Sequence, residues 1–160
     1  MTDTASSGRR GGGRAGRAAM RAAQVVDRVP YLTRTMRPFE ILGVLIWMVA
    51  VVGEAVADRL LRDFKADPAN KGAVCRVGLW EWSRQPNYFF AWLIWVSFAV
   101  FALGSPWGWL GIGCPILMLY FLLRVTGIPA TEAHAVRSRG EAYRQYQREV
   151  SAFVPRAPKV

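Results

Sequence analysis

The chain has 160 residues, 52% of them hydrophobic, with 7 Trp and 8 Phe, and yet a formal net charge of +10. This length allows one domain, and apolar and basic residues in such amounts must be segregated along the chain, which is the pattern of a membrane protein. The 2 cysteines, Cys75 and Cys114, are far apart, there is no CxxC and there is 1 histidine, so the chain offers neither a metal-ligand spacing nor a disulfide framework.

Residues 1–38 hold eight Arg and little apolar periodicity. Their SSGRRGGGRAGRAA stretch is low in complexity and is expected to be a disordered basic tail. A solvated tail touching anionic lipid is expected in preference to a nucleic-acid-binding arm. No apolar core follows the arginines directly, so a secretory signal is not expected.

Three apolar runs follow: Ile41 to Ala57 (17 residues), Tyr88 to Leu103 (16 residues) and Trp107 to Leu123 (17 residues). Each is close to the lower limit of about 17 residues for a membrane span, and the second and third have Tyr or Trp at an end, where interfacial side chains anchor. Gly104-Ser105-Pro106 is a turn signal that makes the second and third runs a helical hairpin. Pro115 is expected to kink the third run. After Gly127-Ile128-Pro129 the composition turns polar, with Thr131 as the expected helix N-cap, Glu132 in the first turn, and Gly140 as an end or a bend. The predicted fold class is therefore all-α: an integral membrane protein with three transmembrane helices and a C-terminal amphipathic helical tail.

Arginine placement sets the expected topology. The loop 58–87 holds six basic residues and the tail 128–160 six more, and the hairpin puts both on one face, which the positive-inside tendency makes cytoplasmic. Three spans then place the basic N-terminal tail on the opposite face, against the same tendency.

The chemistry concentrates between the first two runs, in GLWEWSRQPNYFFAW from Gly78 to Trp92. Pro86 drives Gln85 out of helical geometry and starts the next helix rigidly. Asn87 both donates and accepts, Tyr88 offers a ring and a hydroxyl, and Trp80 and Trp82 offer flat surfaces for stacking. Lys65, Arg84 and the tail arginines make a basic basin suited to phosphate or anionic headgroups. An interfacial aromatic belt with a helix-starting proline explains the same residues without a ligand. Glu54 and Asp58 share a helix face, and His134, on a polar helix, is expected to be a bystander.

The ordered segments GEAVAD, DFKADPANKG, GLWEWSRQPNYF and GIPATEAHAVRSRGEAYRQYQREVSAFVP resemble bacterial membrane proteins related to the C-terminal domain of steroid 5-alpha-reductase, within a superfamily that also holds sterol reductases and isoprenylcysteine methyltransferases. The likeness runs over roughly residues 50–158, so residues 39–158 are expected to form that domain. It implies NADPH as cofactor on the cytoplasmic side of a bacterial inner membrane, and hydride transfer to a carbon–carbon double bond of a steroid- or isoprenoid-like lipid. Carried over by position, Lys65 and Arg84 would contact cofactor phosphate or ribose, Trp80, Asn87 and Tyr88 the nicotinamide half, and Glu132, Tyr143 and Tyr146 the adenine half. No catalytic residue is implied. The chain departs from the family pattern at Gln85, Phe90 and Ala91, where the relatives have histidine, glycine and glutamate. Full-length relatives also carry further spans upstream, which implies a shortened or diverged member here. Two alternatives stay open: an S-adenosylmethionine-dependent methyltransferase of the isoprenylcysteine type, and an inactive membrane fragment.

Overall fold

Helix α1 runs over Pro38–Ala66, two turns beyond the apolar run that predicts it. The computed structural model describes residues 36–158, so the expected basic tail lies outside the described residues, apart from its last members. At the start of α1 the Arg37 backbone N–H donates to Glu40 Oε2 at 2.9 Å, with Pro38 at the first helical position. At 29 residues α1 is about 43 Å long, enough to cross a bilayer and carry its polar end beyond it.

The one-turn helix α2 covers Leu79–Trp82, and α3 covers Pro86–Ala102. The Gly-Ser-Pro turn then leads into a 3-10 segment, Gly108–Ile112, followed by α4 at Gly113–Tyr120 and a π-helical turn at Phe121–Val125. Pro115 thus sits in the first turn of α4, where its missing N–H has no helical partner to lose. The expected kink within one long helix is replaced by a change of helix type ahead of the proline. Helix α5, Ile128–Glu149, begins after Gly127, so Thr131 is inside the helix and is not its cap. The Thr131 hydroxyl donates instead to the Gly127 and Ile128 carbonyls, at 3.1 and 3.0 Å. Gly140 bends α5 as expected, with φ 56° and ψ −130°.

The described residues are helical, with an isolated bridge between Ser83 and Ser151 in place of a sheet. Two stretches are long and apolar enough to cross a membrane, α1 and the continuous helical run that starts at Gly108, and α3 is apolar but shorter. The all-α, membrane-helix class read from the sequence is the observed one.

Helix packing follows membrane rules. Gly43, Ala50 and Ala57 are the buried residues of α1 and recur every seven positions. A Cβ built on Gly43 would lie 2.8 Å from the Phe101 Cβ and 2.9 Å from Phe101 backbone atoms, and one on Gly53 would lie 2.4 Å from the Phe90 ring. Small residues therefore bring α1 and α3 together, and large apolar ones such as Met48, Val52, Phe98 and Ile116 point outward, the arrangement expected where lipid is the solvent.

Two features fix the ends of the bundle. At one end Arg37 Nη1 donates to the Gly104 carbonyl at 2.5 Å, tying the start of α1 to the α3–α4 turn. At the other, the Trp80 indole donates to the Ala57 carbonyl at 3.0 Å, tying α2 to α1.

Candidate functional site

The site begins with a backbone framework. Gly78, with φ 56° and ψ −117°, turns the chain into α2; a Cβ there would be strained and would lie 3.0 Å from Leu60. Ser83 is extended (φ −145°, ψ 144°) and begins a short parallel match with the tail. Arg84 N–H donates to the Ser151 carbonyl at 2.8 Å, Arg156 N–H to the Trp82 carbonyl at 3.0 Å, and the Ser83 hydroxyl to the Phe153 carbonyl at 2.8 Å. The Tyr146 hydroxyl, on α5, donates to the Trp80 carbonyl and lies 3.3 Å from that of Ser83. Residues 80–84 are thus held by α1, by α5 and by the tail. Pro86 is fully buried as the first residue of α3.

Within this framework is a buried ion pair. Arg84 Nε lies 2.7 Å from Glu132 Oε1, and their side chains are 9% and 16% exposed. Arg84 Nη1 donates to the Gln147 carbonyl at 2.8 Å, and the Gln147 amide donates to Glu132 Oε2 at 2.9 Å. The guanidinium is neutralised by Glu132, and the network joins α5 to the segment before α3.

Beside the pair is a cavity of about 480 Å³, a size typical of ligand sites. Of the residues singled out in the sequence, Lys65, Trp80, Arg84, Tyr143 and Tyr146 line it. Glu132 holds Arg84 and is not among the lining residues. Asn87 and Tyr88 are elsewhere: Asn87 Oδ1 is buried with no hydrogen-bond partner, and Tyr88 packs with Leu122, Ile128 and Phe153. The cavity adds Cys75, Gln85, Thr131 and His134, for which no ligand contact was expected, and Arg139, expected only as one of the tail arginines of the basic basin. A signal for them exists in hindsight. Thr131, Ala135, Arg139 and Tyr143 follow at four-residue steps, so one face of α5 supplies them all.

The electrostatics are one-sided, because no carboxylate lines the cavity, whereas Lys65, Arg84 and Arg139 do. Burial, with the nearby Glu132 charge, pushes the Tyr143 phenol up to about 12, so it stays a neutral donor at physiological pH. Burial and the neighbouring Tyr143 raise Tyr146 further. Burial also raises the Cys75 thiol, against a backbone hydrogen bond from Val77 and the charges of Lys65 and Arg139. Gln85, 8% exposed, donates from Nε2 to the Thr131 hydroxyl at 3.0 Å and closes the wall between α3 and α5. Cations, a neutral phenol and the buried indole of Trp80 make a pocket for an anionic ligand with flat rings.

The family described as "Protein of unknown function (DUF1295)" matches residues 20–150. Comparison with curated proteins and with solved structures finds no match.

Proposed function

The chain belongs to the DUF1295 family, and from the chemistry of its cavity we propose that it is a membrane reductase using NADPH on a carbon–carbon double bond of a steroid- or isoprenoid-like lipid. The observation that carries this reading is the convergence of Lys65, Arg84 and Arg139 with Trp80 and Tyr143 around one cavity that no carboxylate lines. A dinucleotide presents phosphates and flat rings, and this donor set fits both. The resemblance of the GLWEWSRQPNYF and GIPATEAHAVRSRGEAYRQYQREVSAFVP segments to steroid 5-alpha-reductase relatives points the same way.

Lys65 and Arg139 would face the phosphates, and Trp80 and Tyr143 would offer a ring face and a hydroxyl. Arg84 and Glu132 would shape the wall. When bound, NADPH supplies the hydride. The basic residues near the cavity end of α1, Arg59, Arg62, Lys65 and Lys71, support a cytoplasmic placement of the site in a bacterial inner membrane.

The test is binding by the full chain purified in detergent, read by quenching of tryptophan fluorescence, followed by turnover of lipid enones. Saturable NADPH binding and enone-dependent NADPH oxidation are expected. Absence of NADPH binding sinks the reading, and thermal stabilisation by S-adenosylmethionine but not NADPH would move the assignment to methyl transfer.

A further inference from the structure

A second cavity lies in the apolar, membrane-crossing part of the bundle. It is a groove of about 240 Å³ between α1 and α3, lined by Gly43, Val44, Trp47, Ser97, Phe98 and Phe101. Its walls ask for no polar partner, because the Ser97 hydroxyl already donates to the Ile94 carbonyl at 2.6 Å. Trp47 and Lys65 stand 18 positions apart, about five full turns, so they project from the same side of α1. Val51, Glu54, Asp58 and Leu61 fall on the line between them at three- and four-residue steps. Trp47 lines the groove, and Leu61 and Lys65 line the cavity described above. One stripe of α1 therefore joins the two, with about 21 Å between Trp47 and Leu61 along the helix axis. Glu54 stands midway. It lies within the apolar run, about 6 Å inward of Asp58 along the axis. It is half-buried and has no hydrogen bond or ion pair among the described residues. A carboxylate in such a setting calls for a donor.

We propose that this stripe binds a single-chain lipid alcohol, with its hydrocarbon tail in the groove between Trp47, Phe98 and Phe101 and its hydroxyl donating to Glu54, at the end of the chain nearest the cavity. The groove is smaller than the roughly 300–1,000 Å³ of sites that enclose a drug-sized ligand, so it takes a length of chain and excludes a fused-ring sterol. As a substrate site it deepens the reductase reading above and rests on it; as a lipid-binding site it stands without it.

The full chain in phosphatidylcholine nanodiscs is photolabelled with hexadecanol carrying a diazirine at its tail, and the crosslinked residues are identified by mass spectrometry. A phosphatidylcholine with the same diazirine tail reports ordinary bilayer contact. The alcohol is expected to label Val44, Trp47, Phe98 or Phe101, and excess hexadecanol to abolish the labelling, whereas its methyl ether and cholesterol leave it. Val44→Trp, which fills the groove, and Glu54→Leu, which removes a group with no partner, are each expected to lower this labelling on the order of tenfold. The Glu54 variant keeps the test valid if the larger side chain disturbs packing. Labelling that matches the phosphatidylcholine probe and spreads to outward residues such as Met48 and Ile116, or that cholesterol or the methyl ether displaces equally well, overturns the site. NADPH binding on the same samples separates the two readings. Saturable chain labelling without NADPH binding keeps the lipid site and fells the reductase, and NADPH binding without such labelling does the reverse.

Discussion

The Arg84–Glu132 pair shows how a residue that looks like a ligand contact acts first as structure. Both groups are largely desolvated, and each is held by Gln147 as well as by its partner. A buried pair contributes little net stability against an apolar replacement, but removing one member leaves a charge with nothing to balance it, at about 3 to 5 kcal/mol. Glu132→Ala is therefore expected to lower the unfolding midpoint in detergent severely, and the double variant Arg84→Met with Glu132→Leu to recover much of the loss. A single variant as stable as wild type would show that the pair does not hold α5 to the segment before α3. The sequence could name both residues because they stand in recognisable motifs. It could not show that they neutralise each other, because they are 48 positions apart and only the fold of α5 brings them together. The same limit hid His134 and Arg139, which stand in the same segment as Glu132 but had no individual role attached to them, and it separated Asn87 and Tyr88 from the cavity although they directly follow Pro86.

At the scale of elements, the packing of α1 on α3 depends on the absence of side chains. Gly43→Ala places a methyl group against the Phe101 backbone and Cβ, atoms that cannot rotate away, so the helices must separate. The expected cost is about 1 to 3 kcal/mol, read as a lower unfolding midpoint in the same detergent. Gly113→Ala is the control, since nothing lies within 4 Å of a Cβ there; equal effects at both positions would mean that the seam is loose. The apolar runs, their hairpin and the bend at Gly140 were legible because hydrophobicity, Gly-Ser-Pro and a glycine inside a polar helix are local signals. The seven-residue spacing of Gly43, Ala50 and Ala57 was equally present in the sequence, but small residues are conspicuous only once a partner helix is known. Pro115 misled for a related reason: the rule that proline kinks a helix assumes helix on both sides, and here a 3-10 segment precedes it.

At the scale of the whole molecule, the two ends are chemically distinct. The Arg37–Gly104 bond marks one end of the helical bundle, and the cavity, α5 and the tail mark the other. In sealed membrane vesicles of known orientation, a membrane-impermeant maleimide is expected to label Ser105→Cys and Ser138→Cys from opposite sides, in a background with Cys75 and Cys114 replaced by serine. Labelling of both from one side would refute a bundle that crosses the bilayer between them.

The bond between Arg84 and Ser151, with its neighbours at Phe153 and Arg156, has a consequence for biosynthesis. The backbone and hydroxyl groups of residues 82–84 are completed by residues 151–156, with 70 positions between Ser83 and Phe153. The apolar helices can enter the bilayer while translation continues, but the cavity's framework cannot close until residues 151–156 have been made. Any ligand therefore meets a site assembled after the apolar helices that support it.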